Sequence, residues 1–404
     1  MRSKNGSRTN GNGGKRRFHN NSNNNNKGQR GGGFKPSTLD PALLIKKATN
    51  EVVEPYLSER TIAELPIDNR LIQCLTKKGF ERPTEIQDRT LEPLLKGRDL
   101  LGIANTGTGK TGAFMFPIIE ELIKSKQRSF ALVVVPTREL ATQVNDEFRS
   151  MSNGLGLFNA CFIGGTNINR DLYELRRESH VIIGTPGRLL DLMERGALKL
   201  GKFQTLVLDE FDRMLDMGFI KDVQRIIDAM KSREHTMLFS ATLDEKQRSL
   251  INGILQDPVT VQVSDGKSTA DHIEQDIIRV PNGMDKFNIL MDMLESDGLE
   301  KVLLFEETKH KVKRLARKLQ QAGIRSGEIH GNKTQSARQT ALNDFKKGRT
   351  RVLVATDVAA RGLDVSDITH VINYQVPQSF DSYIHRIGRT GRAGKAGQAY
   401  TFVG

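Results

Sequence analysis

The sequence predicts an α/β fold of two domains, each a parallel sheet covered by helices on both faces. A length of 404 residues suggests two domains with additional segments. Short apolar runs rich in β-branched residues alternate with amphipathic stretches, which is typical of buried parallel strands connected by helices. Around residues 265–271 charged residues, Gly and Ser interrupt this alternation, and it restarts afterwards. The interruption indicates a boundary between two domains of similar type.

In the first half of the chain, short apolar runs predict buried strands, and amphipathic stretches between them predict helices. The predicted helices are Arg138–Met151, Leu189–Met193 and Asp222–Met230. The predicted strands are Leu100–Ala104, Ala131–Val135, Val181–Gly184, Thr205–Leu208 and Thr236–Phe239.

The second half repeats the pattern in a smaller domain. We expect a lead-in at 39–60, either a short helix or extended chain, a first domain at 61–264, a hinge at 265–272 and a second domain at 273–404. Both domains are expected to bind ligands at the carboxyl ends of their strands. The predicted strands of the second domain are Val302–Phe305, Ile324–His330, Val352–Thr356, His370–Tyr374 and Ala399–Val403.

A basic tail precedes these domains at residues 1–38. It contains nine Lys and Arg residues and no Asp or Glu, so the rest of the chain carries only +4 of the net charge of +13 (13 − 9). Asn and Gly dominate the tail, and such a composition cannot bury enough apolar surface to offset chain entropy. We predict that it is disordered and serves either as an electrostatic tether for RNA or as a solubilising spacer.

Composition also bears on the cellular setting. Cys74 and Cys161 are too few and too far apart for a disulfide framework or a metal site, and the histidines lack metal-ligand spacing. The apolar runs are shorter than the roughly 20 residues that span a bilayer. We therefore expect a cytoplasmic protein with no membrane association and no structural zinc.

The segment after the strand at residue 100 has the composition of a nucleotide-binding loop. Thr106, Gly107, Thr108 and Gly109 let backbone N–H groups approach phosphates, and the following helix N-terminus favours the same anions. Its last two residues suit the other parts of the ligand, because the amine of Lys110 reaches β- and γ-phosphates and the hydroxyl of Thr111 ligates Mg²⁺. Where the general pattern begins with Gly, this chain has Ala104.

An acidic segment follows the strand Thr205–Leu208. A carboxylate at the end of an apolar strand is costly unless it meets a cation, so Asp209 suits coordination of Mg²⁺. Glu210 is placed to orient or deprotonate an attacking water. Near the other end of the chain, residues 385–392 concentrate four cationic or potentially cationic side chains, and an arginine supplied from a distance neutralises the charge of phosphoryl transfer. These features together predict an ATPase site shared by two domains.

These residues resemble the DEAD-box ATP-dependent RNA helicases, and the resemblance extends from about residue 60 to residue 404. Nine motifs occur in the order of that family: Gly79–Gln87, Pro136–Ala141, Gly164–Gly165, Thr185–Arg188, Asp209–Asp212, Ser240–Thr242, Gln335–Arg338, Ala360–Asp364 and His385–Arg392. A match of nine motifs in order is highly specific.

The resemblance implies two RecA-like domains that ATP and RNA close together, with ATP and Mg²⁺ as cofactors. It implies that Gln87, with Arg82 in the same motif, reads adenine and that Asp364 contacts the ribose. It also implies that Arg389 and Arg392 are the arginines that complete the site. The residues that it assigns to coupling between hydrolysis and RNA binding are Asp212, Ser240, Thr242, His385 and Arg386.

The implied RNA contacts are hydroxyls, backbone amides and arginines, which hold the RNA backbone without recognising sequence. The resemblance therefore predicts a monomeric, sequence-independent helicase that unwinds short duplexes. An ATP-gated RNA clamp without productive unwinding is the alternative, and a DNA helicase is a weaker one. The residues implied in RNA binding are Thr137, Arg138, Gly165, Thr185, Gly187, Arg188, Gln335, Arg338, Thr356 and Gly362.

The chain departs from the family at two positions. Phe211 occupies a place where the family has Ala, which predicts altered packing near Asp212 and the Ser240–Thr242 segment. Ile62 lies 25 residues before Gln87, where the family usually has Phe. The loss of an aromatic partner for adenine predicts modest ATP affinity.

Overall fold

A computed structural model of the chain describes residues 39–48, 56–105, 107–125, 130–263, 273–296, 298–360, 365, 367–391 and 397–404. Several predicted features lie outside the described residues: Thr106, Gly362, Asp364, Arg392, the tail at 1–38 and the hinge at 265–272.

The first lobe is built on a sheet of seven strands, and every neighbouring pair is parallel. The strands are β1 (Leu100–Ile103), β2 (Ala131–Val134), β3 (Asn159–Phe162), β4 (Val181–Gly184), β5 (Thr205–Leu208), β6 (His235–Ser240) and β7 (Val259–Gln262). Their order across the sheet is β3-β4-β2-β5-β6-β1-β7.

Helices cover both faces of this sheet. They are α1 (Asn69–Lys77), α2 (Glu85–Leu95), α3 (Lys110–Ser125), α4 (Arg138–Met151), α5 (Ile168–Glu174), α6 (Pro186–Glu194), α7 (Phe211–Asp216), α8 (Ile220–Ala229) and α9 (Glu245–Asn252), with a short 3-10 turn at Ile62–Glu64. Another 3-10 turn, Pro41–Leu44, precedes them in the sequence and lies against the second lobe.

The second lobe has a six-stranded sheet in the order β10-β11-β9-β12-β13-β8, again with parallel pairing throughout. Its strands are β8 (Ile273–Arg279), β9 (Val302–Phe305), β10 (Ser326–Ile329), β11 (Val352–Ala355), β12 (His370–Asn373) and β13 (Gly397–Val403). Its helices are α10 (Lys286–Glu295), α11 (Lys309–Gln321), α12 (Gln335–Lys346), α13 (Asp357–Ala360) and α14 (Phe380–Ile387).

Alternating side chains along the central strands build one apolar core on each face of a sheet. Val133 on β2 belongs to one core of the first lobe, whereas the adjacent Leu132 belongs to the other. Leu303 and Leu304 on β9 divide in the same way between the two cores of the second lobe. Because both faces of these strands are buried, their sequences are continuous apolar runs. The predicted fold class is confirmed.

Three strands, β3, β7 and β8, were not predicted. Each lies at an edge of its sheet, where one side lacks a neighbouring strand. Their sequences mix polar and apolar residues, and burial in β3 and β8 alternates or is partial. A search for continuous apolar runs misses these three strands for this reason, although it finds the fourth edge strand, β10.

The described part of the chain contains no helix that is both long and apolar enough to cross a bilayer.

Candidate active site

The loop between β1 and α3 has the geometry of a phosphate cradle. Gly107 and Gly109 adopt φ values of 93° and 96°, a region that favours glycine. A Cβ on Gly109 would lie 2.6 Å from the amide nitrogen of Gln87 and 2.6 Å from the hydroxyl of Thr84, so this position has no room for a side chain. The Thr108 hydroxyl donates to the carbonyl of Asn105 at 2.9 Å. The backbone of this loop therefore leads directly into the N-terminus of α3, where anions bind favourably.

The loop ends on a buried amine. Lys110 is the first residue of α3 and is 7% exposed, and its Nζ has no hydrogen-bond partner among the described residues. A buried ammonium without a partner is costly. An anionic ligand such as a triphosphate would supply the missing acceptors. Thr111, the next residue, is half-buried.

Sheet topology places the acidic segment beside this loop. β6 lies between β1 and β5, and Ile103 at the end of β1 is in register with Ser240 at the end of β6. The amide of Ala104 donates to the carbonyl of Ser240 at 3.0 Å. Asp209 follows β5 at the same edge, so the loop and the carboxylate lie on either side of Ser240.

Asp209 is a buried carboxylate with too little compensation from protein groups. Burial raises its pKa to about 6; the charge of Lys110 opposes this rise, and the charge of Glu210 adds to it. The Asp209 Oδ1 atom accepts from the backbone amide of Glu210 at 2.9 Å. A buried carboxylate that still lacks a cation fits a site for Mg²⁺.

Glu210 is held in a strained backbone conformation. Its φ and ψ are 53° and 51°, in the left-handed region, and it is the residue that precedes α7. For a residue with a Cβ this costs about 1–2 kcal/mol. Strain of this kind concentrates at functional sites, because the surrounding structure has to enforce it.

A hydrogen-bond chain connects the acidic segment to the end of β6. The Thr242 hydroxyl donates to Asp212 Oδ2 at 3.3 Å, and the Ser240 hydroxyl donates to the Thr242 carbonyl at 2.6 Å. Phe211 is completely buried in the same apolar core as Leu208 and Met214. The bulky ring is therefore accommodated by the core, and the Asp212–Thr242 contact forms beside it.

The predicted adenine-reading segment packs against the phosphate loop. The Gln87 side chain accepts from the backbone amide of Thr84 and donates to the carbonyl of Gly109, both at 3.0 Å. The guanidinium of Arg82 donates to the backbone carbonyls of Ser58 and Glu59. Adenine recognition by Gln87 stays a prediction. Its amide has two N–H donors and two acceptor positions, and these contacts use one of each.

Ile62 fills the place expected for an aromatic residue. It is 1% exposed, belongs to the apolar core of the first lobe, and its amide donates to the carbonyl of Glu81 at 2.9 Å. Because the Ile62 side chain lies in the core, the described residues bring no aromatic ring from this position to a base.

A cleft between the lobes collects the basic residues near the end of the chain. It is lined by Arg213 from the first lobe and by His385, Arg386 and Arg389 from the second. Arg389 follows α14 and is 6% exposed. The sequence did not predict a role for Arg213, although it immediately follows the acidic segment. The cleft therefore places Arg389 near Arg213 of α7, the helix that follows Glu210.

Arg386 connects several elements of the second lobe by hydrogen bonds. Its guanidinium makes two contacts with the carboxylate of Asp357, at 2.6 and 2.8 Å. It also donates to Asn373 Oδ1 at 3.2 Å and to the carbonyl of Gln375 at 2.7 Å. The predicted coupling residue is thus the centre of a network that connects α13, α14 and the end of β12.

Three arginines implied in RNA binding, Arg138, Arg188 and Arg338, lie close enough for their charges to interact. Burial lowers the pKa of Arg138, and the positive charges of Arg338 and Arg188 lower it further. Gly165, at φ 79°, lies against the guanidinium of Arg138, since a Cβ there would be 2.3 Å from Nη1. The guanidinium of Arg188 contacts buried Asp171 at 2.5 Å and the carbonyl of Thr166 at 2.9 Å. Such a concentration of cations fits a polyanion.

Two residues implied in RNA binding instead contact the other lobe. The Nε of Arg338 donates to Glu139 Oε1 at 2.7 Å, and Gln335 Nε2 approaches the same oxygen at 3.5 Å. Arg338 and Glu139 are both less than 10% exposed. The Arg338 guanidinium also donates to the carbonyl of His330 at 3.2 Å. Sequence reasoning missed Glu139, although it lies inside the Pro136–Ala141 motif.

The remaining implied contacts lie at strand ends and helix starts. The hydroxyl of Thr137 caps α4 by accepting from the amide of Leu140 at 3.2 Å. Thr185 precedes α6 without such a cap hydrogen bond, and Gly187 is exposed with open space at its Cα. Thr356 follows β11 and is half-buried. These positions share the carboxyl edge of the two sheets with Arg138 and Arg338.

Comparison with known proteins identifies two family regions. Residues 84–250 match the family model described as "DEAD/DEAH box helicase", and residues 285–394 match "Helicase conserved C-terminal domain". The ATP-dependent RNA helicase CshA of Listeria monocytogenes is 42% identical over 84% of this chain and 65% of its own length. The DEAD-box ATP-dependent RNA helicase CshA of Geobacillus kaustophilus is 42% identical over 85% of this chain and 73% of its own length. The chain thus spans less than two thirds of the Listeria relative.

A solved structure resembles the arrangement of both lobes. Dbp5 of S. cerevisiae bound to RNA and ADP BeF3 superposes with a TM-score of 0.76 at 30% identity, covering 85% of this chain and 89% of the Dbp5 chain.

The buried carboxylate at position 209 predicts a pH-dependent stability. The folded-state pKa of about 6 lies above the ordinary 3.8, so the native protein binds more protons than the unfolded chain between about pH 4 and pH 6. Stability therefore falls as pH rises through this window, by at most about 3 kcal/mol. We expect metal-free Asp209→Asn to exceed the parent protein in unfolding free energy by about 1–3 kcal/mol above pH 7 and to match it below pH 4. The gain in unfolding free energy is limited, because Asp209→Asn also removes the attraction between the Lys110 ammonium and the Asp209 carboxylate.

Urea unfolding of both proteins across this pH range measures the difference. A stability difference that is independent of pH, or one that grows toward acid, would contradict the burial of an uncompensated charge at Asp209.

Proposed function

The chain belongs to the DEAD/DEAH box helicase family, and from this we propose that it is an ATP-dependent RNA helicase. ATP and RNA close the two lobes, the closed protein binds RNA without recognising its sequence, and short duplexes are unwound. Hydrolysis of ATP reopens the lobes and releases RNA. The observations that carry the proposal are that Lys110 and Asp209 of the first lobe are buried without sufficient compensation, and that Arg389 of the second lobe lines a cleft with Arg213, three residues after Glu210.

Each residue of the pocket has a role that its position supports. The amine of Lys110 binds the β- and γ-phosphates, and the backbone of Gly107 and Gly109 approaches them. Thr111 and Asp209 hold Mg²⁺. When bound, the ion neutralises the negative charge that the transferred phosphoryl group carries.

Glu210 is the proposed base. Its strained backbone holds the carboxylate beside Asp209, where it orients the attacking water and accepts its proton. Arg389, together with Arg392, neutralises the charge that develops on the phosphoryl oxygens. Since these arginines belong to the second lobe, hydrolysis depends on closure.

The nature of the RNA contacts supports binding that is independent of sequence. The groups implied are arginines, hydroxyls and backbone atoms, which contact the sugar–phosphate backbone and leave base edges unread. RNA rather than DNA is proposed because relatives are named RNA helicases and the similar Dbp5 structure is bound to RNA. A cytoplasmic location and a monomeric state stay predictions.

The Glu139–Arg338 pair is proposed to couple closure to RNA binding. It joins α4 of the first lobe to α12 of the second, and both helices begin among the implied RNA contacts. A buried ion pair is strongly destabilised when one partner is lost, because the other charge is left uncompensated. The pair therefore favours the closed arrangement and keeps Arg338 near Arg138.

Hydrolysis tests the role assigned to Glu210. We expect Glu210→Gln to bind ATP and RNA within about threefold of the parent protein and to reduce RNA-stimulated ATP turnover at least about 100-fold, because the water loses its base. Phosphate release and RNA binding measure the two effects. Glu121→Gln, which changes an exposed glutamate on α3, is the control. Turnover near the parent rate in Glu210→Gln would remove Glu210 from its proposed role.

A double-mutant cycle tests the pair between the lobes. We expect Glu139→Gln and Arg338→Gln each to weaken RNA binding about 10- to 100-fold in the presence of a non-hydrolysable ATP analogue. The double variant should be no weaker than the worse single variant, which gives a coupling energy of about 1–3 kcal/mol. If Arg338 acts only by contacting RNA, Glu139→Gln will leave affinity unchanged and the two effects will add.

Strand displacement separates a helicase from an ATP-gated clamp. We expect the parent protein to displace a strand from a short RNA duplex at ATP concentrations that support RNA-stimulated turnover, because Phe211 leaves the Asp212–Thr242 contact in place. RNA-stimulated turnover without displacement would favour the clamp. Equal stimulation of turnover by single-stranded DNA would favour a DNA helicase.

A further inference from the structure

Residues 39–48 precede the first lobe in the sequence but lie on the second lobe. The amide of Lys46 donates to the carbonyl of Gln275 at 2.9 Å, and the amide of Gln275 donates to the carbonyl of Lys46 at 2.8 Å. This antiparallel bridge adds the segment to β8, the edge strand of the second sheet. Leu44 is completely buried and belongs to a core of the second lobe that includes Ile273. The contact is thus a built interface of backbone pairing and apolar burial.

The same segment touches the helix that leads to Arg389. Tyr383 on α14 is completely buried, and its hydroxyl approaches the Leu44 carbonyl at 3.3 Å and Gln275 Oε1 at 3.0 Å. Arg386 lies on the same helix, and Arg389 follows its end. Residues 39–48 therefore support the helix that positions the basic side chains of the cleft.

A second anchor lies on the first lobe, beside the phosphate loop. The hydroxyls of Tyr56 and Ser58 donate to the carboxylate of Asp88 at 2.6 and 2.7 Å, and Arg60 forms an ion pair with the same carboxylate at 2.6 Å. Asp88 is on α2 and follows Gln87, whose amide contacts the loop at Gly109. The two anchors thus hold the two elements that carry opposite halves of the composite pocket.

Chain length limits how far these anchors separate. Seven residues lie between Ala48 and Tyr56. Eight successive Cα–Cα steps of an extended chain span at most about 26–29 Å. A wider separation of the lobes requires one anchor to detach. The first anchor includes two backbone hydrogen bonds, one buried leucine and one tyrosine contact. It is the anchor expected to release, because the second anchor continues directly into the first lobe.

We infer that residues 39–48 and 56–60 are the two anchors of one strap, and that docking of Leu44 and Lys46 on the second lobe stabilises the closed arrangement of the lobes on which ATP hydrolysis depends. The inference rests on the proposed function, since it concerns the closure that hydrolysis requires. Docking favours the closed state equally in the RNA-bound ground state and in the transition state of ATP hydrolysis. Loss of docking therefore raises the KM for RNA while kcat is largely kept.

Matched substitutions on the strap test the inference. Leu44→Asp places a charge at a buried position. Leu43→Asp, the matched control, places the same charge on the adjacent residue, whose side chain is 55% exposed. Leu44→Met is a second control, because it keeps an apolar side chain of similar volume at the buried position. Lys46→Pro removes the amide that donates to Gln275. The measurement is RNA-stimulated ATPase of the full chain as a function of RNA concentration.

We expect Leu44→Asp and Lys46→Pro to raise the KM for RNA about tenfold with kcat within about twofold of the parent. Leu43→Asp and Leu44→Met should stay within about twofold in both constants. A KM for Leu44→Asp equal to that of Leu43→Asp would overturn the inference. A fall in kcat with unchanged KM would also overturn it, because it would indicate only partial unfolding of the second lobe. A parent protein without RNA-stimulated ATPase would instead defeat the proposed function and this inference with it.

Discussion

The structure depends on two opposite charges, the Lys110 amine and the Asp209 carboxylate, buried at the carboxyl edge of one sheet. Burial raises the pKa of Asp209 to about 6 even with the Lys110 charge nearby, and Lys110 Nζ has no hydrogen-bond partner among the described residues. Taking charges out of water is costly unless partners compensate for it. A magnesium–triphosphate complex supplies both kinds of partner. Ligand binding therefore relieves a cost that the fold imposes, and the first lobe is prepared for its ligand before the second lobe contributes.

The second lobe contributes two arginines that face the first lobe. Arg389 enters the cleft from the end of α14, and Arg338 reaches across to Glu139. Both contacts need the lobes to be close, so the proposed ATP hydrolysis and the proposed RNA binding share one conformational requirement. An ion pair buried between lobes suits this purpose, because the desolvated charges make separation and closure distinct states rather than a continuum. The strap, with its anchors at residues 39–48 and 56–60, adds a second connection between the lobes, noncovalent where it docks on the second lobe.

Central strands and phosphate-binding motifs were predictable from the sequence, because their physical demands are local. Val181–Gly184, Thr205–Leu208 and Val302–Phe305 were predicted with the observed bounds, since strands buried on both faces are continuous apolar runs. The edge strand β7 carries polar residues and was not predicted. The Glu139–Arg338 pair was not predictable, because the sequence does not state how two lobes face each other. Docking of Leu44 on the second lobe was missed for the same reason: a single apolar residue in a short segment carries no periodic signal.

The distance between the lobes tests the central claim most directly. Dyes attached at Lys199→Cys and Arg317→Cys, in a chain with Cys74→Ser, report that distance by energy transfer; burial raises the pKa of Cys161 to about 12, so its thiol resists labelling. We expect a short distance only when a non-hydrolysable ATP analogue and RNA are both present, and a long one with either ligand alone or with neither. An unchanged distance under all four conditions would contradict a pocket completed by closure.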